Sequence, residues 1–292
     1  GVVFHNKSYG YHTYKKNKAV ENSDIYDLAS LTKIIATVPA LMFLEENGEI
    51  HLDSCLEYYI DLADTSNKNN LSIREILAHQ AGLKSWIPFY KQTLDNNGNL
   101  IDTLYNDKYS DKYNINVAEG IYLHNSYPDT ILAQILATKT TDKTYQYSDI
   151  GYYIFKDIIE HKTKLEFKDF LSQQFYNQLG LNTMGFLPKN RFDRSRIVPT
   201  EFDYYFRSQL LQGDVHDMGA AMLGGVGGHA GLFSNANDLG IFMQMLLQKG
   251  YYGGERYFKK YTVDQFTKCQ FCKEENRRGA GFDKAVLDGQ EG

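Results

Sequence analysis

The feature that most constrains this chain is a long apolar helix pattern that runs from about Ser30 to Glu46. Its apolar residues cover more than one face, which predicts a helix buried in the core rather than one with a solvated side. They are Ile34, Ile35, Val38, Leu41, Met42 and Leu44. Gly48 follows at a position where a glycine commonly ends a helix. With 292 residues, 42% of them hydrophobic, the chain can bury a sizeable core around this helix.

Two residues with side chains that can take part in catalysis, Ser30 and Lys33, lie at the start of this helix. Their Ser-x-x-Lys spacing puts both side chains on one helical face. A free serine is a poor nucleophile and needs a base beside it, and a lysine one turn away can accept the hydroxyl proton or tune a second base. The alternative interpretation of these residues alone is a helix cap and a solvated lysine.

The bulk composition excludes several classes of function. The net charge is −5 and the basic residues are scattered, which predicts no nucleic-acid partner. The chain contains no run of about 18 apolar residues, so we expect no membrane span. Cys269 and Cys272 form a lone Cys-x-x-Cys without the further ligands that a zinc site needs. We interpret it as chance spacing, with a redox or disulfide role as the alternative, and we predict no metal and no cofactor.

Local signals predict helix through most of the chain and strand mainly at its start. Residues 2–14 alternate loosely and favour a strand. Residues 94–125 are rich in Asp, Asn and Tyr and indicate either a solvated insertion or a lid. Ser72 and Glu75 form a capping box before a short helix that Gly82 ends. Further helices are predicted over residues 128–138, about 149–162, 166–178 and 235–249, with a last short one capped by Thr262.

Four stretches, in this order, resemble motifs of the class C β-lactamase and D-alanyl-D-alanine carboxypeptidase family, which are penicillin-recognising serine hydrolases and include esterases. Residues 28–33 resemble the nucleophile motif, and residues 71–83 resemble the helix-His-x-x-Gly-Leu turn. Residues 147–152 resemble the second catalytic motif, Tyr-Ser-Asn, and residues 231–239 resemble a late glycine turn that leads into a helix.

The resemblance implies an α/β (α+β) fold of the β-lactamase/transpeptidase type, in which an antiparallel sheet flanked by helices is joined to a mostly helical subdomain with the active site between them. We therefore predict one module over residues 1–292. Residues 1–45 and about 215–292 would form the sheet-associated part, and about 46–214 the helical subdomain, with residues 94–125 as an insertion. We also expect the sheet to be incomplete in this chain.

The resemblance also implies the catalytic roles. Ser30 would be the acylated nucleophile, Lys33 its hydrogen-bonded partner, and Tyr147 the second base that passes the proton to the leaving group. A phenol needs positive charge beside it to act as a base near neutral pH. The alternative for Tyr147 is an ordinary packed tyrosine, since the chain has 23 of them. We interpret His79, in the predicted turn, as structural rather than catalytic.

Asp149 would contact the substrate at a position where the family commonly has asparagine. An amide both donates and accepts hydrogen bonds, whereas a carboxylate only accepts them. The substitution removes a donor to a substrate carbonyl and adds a negative charge that disfavours an anionic ligand. We therefore expect turnover of β-lactams to be weakened, while the roles of Ser30, Lys33 and Tyr147 are unaffected.

The family's third motif, Lys-Thr-Gly or His-x-Gly on a strand, has no clear counterpart. His229, Ala230 and Gly231 fit it as a string, but their neighbours place them in a glycine turn before the helix from Asn235. We expect the motif to lie beyond residue 292, in a longer protein of which this chain is a module. That arrangement is compatible with a fused glycoside hydrolase domain of the β-N-acetylglucosaminidase type.

The sequence therefore predicts a serine hydrolase that forms an acyl-enzyme with a peptide, ester or β-lactam substrate, with a cell-wall peptide or small ester favoured. Backbone N–H groups, including that of Ser30, would hold the oxyanion. Family habit indicates an extracytoplasmic protein. The alternative is a non-catalytic binding or scaffold module of the same fold. No Gly-x-Ser-x-Gly elbow surrounds any serine, which excludes a lipase-type α/β-hydrolase.

Overall fold

The structure, a computed structural model, describes residues 2–62 and 66–285. The described residues form two compact units, each assembled from three segments of the chain. The first unit lies within Gly1–Thr32, Pro88–Asp129 and Lys168–Gln244. The second lies within Lys33–Ile87, Thr130–Phe167 and Met245–Gly292. The division into a sheet-associated part and a helical subdomain near residues 45 and 215 stays a prediction.

Helices are more extensive than strands among the described residues. The α-helices are α1 (Val38–Glu46), α2 (Ile73–Leu77), α3 (Tyr127–Ala137), α4 (Ile150–Thr163), α5 (Phe167–Leu171), α6 (Met218–Ala221), α7 (Ala236–Leu247) and α8 (Lys260–Thr267). A π-helical turn, Lys33–Thr37, leads into α1, and another, Ser172–Tyr176, follows α5. Short 3-10 turns span Leu56–Tyr58, Phe89–Thr93, Pro188–Asn190, Arg194–Arg196 and Cys272–Glu274.

The strands are short and antiparallel. They are β1 (Tyr26–Asp27), β2 (Tyr105–Asn106), β3 (Ile115–Ala118), β4 (Ile121–Leu123), β5 (Phe202–Asp203), β6 (Gln209–Leu210), β7 (Phe233–Ser234), β8 (Tyr251–Tyr252) and β9 (Glu255–Arg256). The order β2-β4-β3 gives a three-stranded sheet inside the predicted insertion, and β1 pairs with β7, β5 with β6, and β8 with β9. The mixed helix and sheet content confirms the predicted α/β class.

The core of the second unit forms around α1, as its apolar pattern predicted. Residues on several faces of α1 are fully buried, as are most of those in α4, which packs against α1 and the π-helical turn before it. The capping box is present, because Ser72 Oγ accepts from the Glu75 N–H while the Glu75 carboxylate accepts from the Ser72 N–H. The apolar pattern and the capping box in the sequence therefore correctly predicted two of the helices in this core.

The first unit is held by buried polar contacts as well as by apolar packing. The Arg207 guanidinium forms a fully buried ion pair with Asp203 at 2.7 Å and also donates to the carbonyls of Val215 and His216. The Asp238 carboxylate accepts from both the N–H and the hydroxyl of Thr183 at 2.7 Å. The first set of contacts joins the β5–β6 turn to the segment after β6, and the second joins the start of α7 to the segment around Thr183.

Three local predictions were wrong. Residues 2–14 form no strand, since Val2, Val3 and Phe4 are exposed and the segment makes only an isolated bridge at Tyr11. Thr262 lies inside α8, whose N-cap residue is Lys259. Its hydroxyl donates to the Glu46 carboxylate instead of capping the helix. The Cys-x-x-Cys is not chance spacing, because its two cysteines are joined in a disulfide with their Cα atoms 5.9 Å apart.

None of the helices in the described part of the chain has the length and apolar character that a membrane crossing requires.

Candidate active site

The residue predicted to be the nucleophile, Ser30, is exposed and immediately precedes the first helical residue, Leu31. The turn that carries it follows β1, whose residues pair with β7. The Leu28 N–H donates to the Leu232 carbonyl at 2.9 Å, and the Leu232 N–H donates to Thr32 Oγ1 at 3.1 Å. Hydrogen bonds on both sides of Ser30, one to a backbone carbonyl and one to a side-chain hydroxyl, therefore hold the turn against the segment before β7.

Lys33 occupies the first position of the second unit and is buried, with 2% of its surface exposed. Its Nζ lies 2.6 Å from Asp149 Oδ1, and it also faces the ring of Tyr147, 5.1 Å from the ring centroid. The contact between Lys33 and Asp149 joins two oppositely charged groups and is therefore an ion pair. The structure thus brings three of the four predicted site residues together.

The segment that presents Tyr147 and Asp149 is fixed by backbone contacts within the second unit. The Asp149 N–H donates to the Ser85 carbonyl at 2.8 Å, and the Ser148 hydroxyl donates to the Lys84 carbonyl at 2.5 Å. The Ser148 hydroxyl in turn accepts from the N–H of Ile150, at the start of α4. Tyr147 keeps 39% of its surface exposed, so its phenol is accessible from solvent.

His79 is a structural partner of this segment, in line with the structural role predicted for it. Its Nδ1 accepts from the Ser148 N–H at 3.1 Å, which places the ring hydrogen of the neutral imidazole on Nε2. Its own backbone carbonyl accepts from the Gln146 N–H at 2.9 Å. Burial, and then the charges of Arg278 and Lys33, lower the pKa of His79 to about 3, so the imidazole is neutral at ordinary pH.

Two members of the cluster were missed by sequence reasoning. Arg278 is 7% exposed, and its guanidinium lies 5.8 Å from the centroid of the Tyr147 ring. Tyr152 is fully buried, its ring 5.5 Å from Lys33 Nζ, and its hydroxyl bonds to no described residue. Burial raises the pKa of Tyr152, so its phenol stays protonated and is not available as a base at ordinary pH. Positive charge from both Lys33 and Arg278 therefore flanks Tyr147, as the predicted role of a phenol base requires.

The path that brings Arg278 to Tyr147 runs through Asn276. The Asn276 side chain donates to the Ala78 carbonyl at 2.9 Å and to Gln80 Oε1 at 2.8 Å, on either side of His79. Its Oδ1 accepts from the N–H of Arg278. No periodicity or motif marks this long-range contact, since Arg278 is only one of several charged residues in the stretch 273–278.

His229, considered above as part of a third motif, has a different setting. It is buried in the glycine-rich loop before β7, with Nε2 2.8 Å from Asp217 Oδ1. Asp217 also caps α6 through the Ala220 N–H. The described residues contain no group of three or more His, Cys, Asp or Glu side chains arranged to hold a metal ion.

Comparison with known proteins identifies the family. The Beta-lactamase family model matches residues 1–267. The chain belongs to the beta-lactamase family. A protein of Escherichia coli K12, whose name assigns it provisionally to the D-alanyl-D-alanine carboxypeptidases, is 32% identical over 282 residues, covering 88% of this chain and 58% of its own length.

Two further proteins show the breadth of the similarity. The N-acetylmuramyl-L-alanine amidase of Bacillus subtilis is 30% identical over 297 residues, covering 91% of this chain and 61% of the relative. The class C β-lactamase structure from Rhodobacter sphaeroides superposes with a TM-score of 0.61 at 16% identity, covering 89% of this chain and 61% of that one. The family and the β-lactamase/transpeptidase-like fold predicted from sequence are thereby confirmed, and the chain spans about three-fifths of the length of these curated relatives.

Proposed function

We propose that this chain is a serine hydrolase that forms an acyl-enzyme on Ser30, with Lys33 and Tyr147 as its proton-transfer partners. The observation that carries the proposal is the burial of Lys33 against Asp149 and the ring of Tyr147. Burying an ammonium group costs folding free energy unless the charge is paired, so a buried lysine is often retained because it has a function. Lys33 is paired on one side and faces an accessible phenol on the other, and it lies three residues after an exposed serine.

The proposed chemistry has two halves. Ser30 Oγ attacks the substrate carbonyl while its proton passes to the phenolate of Tyr147, beside whose ring lie the positive charges of Lys33 and Arg278. Tyr147 then gives the proton to the leaving group, which departs and leaves an ester on Ser30. Water attacks that ester with the same groups in reverse roles, and Ser30 recovers its proton.

The proposed substrate is an amide bond of a cell-wall peptide rather than a β-lactam. The names of the two curated relatives specify a D-alanyl-D-alanine bond and a bond between N-acetylmuramyl and L-alanine. The Asp149 carboxylate disfavours a β-lactam, because it is negatively charged and has no N–H to donate to the ligand. Asp149 is therefore proposed as the residue that biases the substrate range.

The test is release of D-alanine from diacetyl-L-lysyl-D-alanyl-D-alanine, with the D-alanyl-L-alanine peptide and p-nitrophenyl acetate run in parallel. The proposal predicts turnover of the D,D peptide and no turnover of it by Ser30→Ala. Turnover of the ester alone would retain the serine hydrolase and overturn the peptide substrate. Equal turnover by Ser30→Ala would overturn the role of Ser30.

An extracytoplasmic location is proposed on the same grounds, since a cell-wall peptide lies outside the cytoplasm and the Cys269–Cys272 disulfide suits an oxidising compartment. Fractionation of the native cells would test it. Fusion to a glycoside hydrolase domain stays a prediction, which the gene sequence on either side of this segment would test.

A further inference from the structure

The residue immediately before Ser30 has an unusual backbone. Ala29 has a φ of +44°, in the left-handed region that residues with a Cβ rarely adopt. The neighbouring residues form ordinary turn bonds, in which the Leu31 N–H donates to the Leu28 carbonyl and the Thr32 N–H donates to the Ala29 carbonyl. A strained conformation of this kind persists only when its surroundings impose it.

The group that satisfies the Ala29 N–H is the carboxylate of Asp27. Asp27 Oδ1 accepts from the Ala29 N–H at 2.8 Å, and Oδ2 accepts from the His216 N–H at 2.7 Å. One side chain thus links the turn before Ser30 to a second segment of the same unit. Burial raises the pKa of Asp27, and these two N–H groups act in the opposite direction by favouring the carboxylate.

We propose that Asp27 is a positioning residue for the nucleophile: its carboxylate holds Ala29 in the left-handed conformation and thereby sets the direction of the Ser30 hydroxyl and N–H. This inference rests on the proposed function, since it takes Ser30 as the group that is acylated. Both oxygens are needed, because Oδ1 fixes the turn and Oδ2 anchors the carboxylate to the backbone at His216.

The first variant is Asp27→Asn, which keeps the size of the side chain. An amide has one oxygen, so it can accept from only one of the two N–H groups. Its NH₂ group is a donor and would face the other N–H without forming a hydrogen bond. The readout is the second-order rate at which a fluorophosphonate adds to Ser30, followed by intact-protein mass at a temperature where circular dichroism shows a folded protein. We expect the rate to fall by about tenfold or more, equivalent to about 1.4 kcal/mol in the activation free energy.

Asp193→Asn is the matched control. Asp193 Oδ1 accepts from the Ser195 N–H at 2.8 Å, the same side-chain-to-backbone contact two residues ahead, in the same unit but in another loop. Its loss is expected to leave the labelling rate within about twofold of the wild-type rate. An equal fall in both variants would mean a general loss of structure and would overturn the assignment to Asp27.

The decisive variant is Asp27→Asn combined with Ala29→Gly. Glycine adopts a positive φ without strain, so the turn no longer needs the carboxylate to hold it. Recovery of most of the labelling rate in the double variant supports the positioning role, whereas a merely structural contact to His216 would not be rescued at residue 29. A single variant that labels at the wild-type rate, or a double variant that stays slow, overturns the inference while leaving the proposed function intact. A wild-type protein that takes no adduct on Ser30 overturns both.

Discussion

The imidazole of His79 packs against the phenol ring of Tyr147, with the two ring centroids 4.4 Å apart and the ring planes tilted by 39°. The same histidine accepts a hydrogen bond from the backbone of Ser148, so it fixes both the ring and the chain direction of the second predicted motif. His79 itself has a φ of +56°, which turns its side chain out of the end of α2 toward this segment. A residue outside the proposed proton path thus sets the geometry of one inside it.

Replacing His79 by asparagine is predicted to flatten the dependence of stability on pH. The unfolded chain binds a proton on histidine as pH falls through about 6.5, but folded His79 binds one only near pH 3. Stability is therefore lost as pH falls through this window, by about 2 to 3 kcal/mol between pH 7.5 and 4.5. Asparagine tolerates the left-handed backbone and does not titrate.

Urea unfolding at the two pH values measures this difference. The His79→Asn variant is expected to be less stable than the wild type at pH 7.5, because ring packing is lost. Its free energy of unfolding should nevertheless fall less than that of the wild type between pH 7.5 and 4.5. His5→Asn, at an exposed histidine, serves as the control and should keep the wild-type dependence. A His79→Asn protein with an unchanged pH dependence would contradict a neutral, buried imidazole.

The two tyrosines beside Lys33 are predicted to differ in function. Tyr147 is accessible, whereas Tyr152 is fully buried with a hydroxyl that bonds to no described residue. Tyr147→Phe should slow fluorophosphonate labelling of Ser30 by about a hundredfold or more, the range expected for loss of a general base. Tyr152→Phe should leave labelling unchanged and the melting temperature equal or higher, since it removes an unpaired buried hydroxyl. Similar labelling rates in the two variants would argue against Tyr147 as the base.

Asp149→Asn is predicted to shift reagent preference toward penicillin. The change removes a negative charge near the ligand and adds an N–H donor, while the reaction at Ser30 is the same for both reagents. We expect the ratio of labelling rates, benzylpenicillin over an uncharged fluorophosphonate, to rise about tenfold, a differential of about 1.4 kcal/mol. The ratio cancels any change that the loss of the Lys33 ion pair makes to the protein as a whole. An unchanged ratio would remove Asp149 from substrate selection.

Gly82→Ala is predicted to be strongly destabilising. Gly82 has a φ of +64°, and an added Cβ would lie 2.4 Å from the Thr141 carbonyl oxygen. Gly98, with a φ of +83° and no atom within 4 Å of an added Cβ, isolates the backbone effect. We expect about 1 kcal/mol from Gly98→Ala and about 3 kcal/mol or more from Gly82→Ala. Urea unfolding of both variants gives the comparison, and equal losses would mean that the contact with Thr141 relaxes.

Sequence patterns predicted the elements whose cause is local. The apolar pattern after Ser30 and the Ser72–Glu75 capping box were confirmed, because periodicity and capping act over a few residues. The strand predicted over residues 2–14 was wrong, because β propensity needs a partner strand and this segment has none among the described residues. The residues of the candidate site likewise fall into those that a local motif predicted and those that it did not.

The Ser-x-x-Lys and Tyr-Ser-Asp stretches were found by motif, and the structure brings Lys33 to within 2.6 Å of Asp149. Arg278 and Asp27 were not found. Arg278 reaches Tyr147 through contacts across about two hundred residues of sequence, which no local pattern encodes. Asp27 acts through a backbone angle at Ala29, and an alanine in the sequence gives no sign of a positive φ.

The most direct measurement is intact-protein mass after incubation with a fluorophosphonate, with Ser30→Ala alongside and peptide mapping of any adduct. We expect one adduct per chain, mapped to Ser30 and absent from the variant. An adduct on another residue, or equal labelling of Ser30→Ala, would show that Ser30 is not the activated nucleophile.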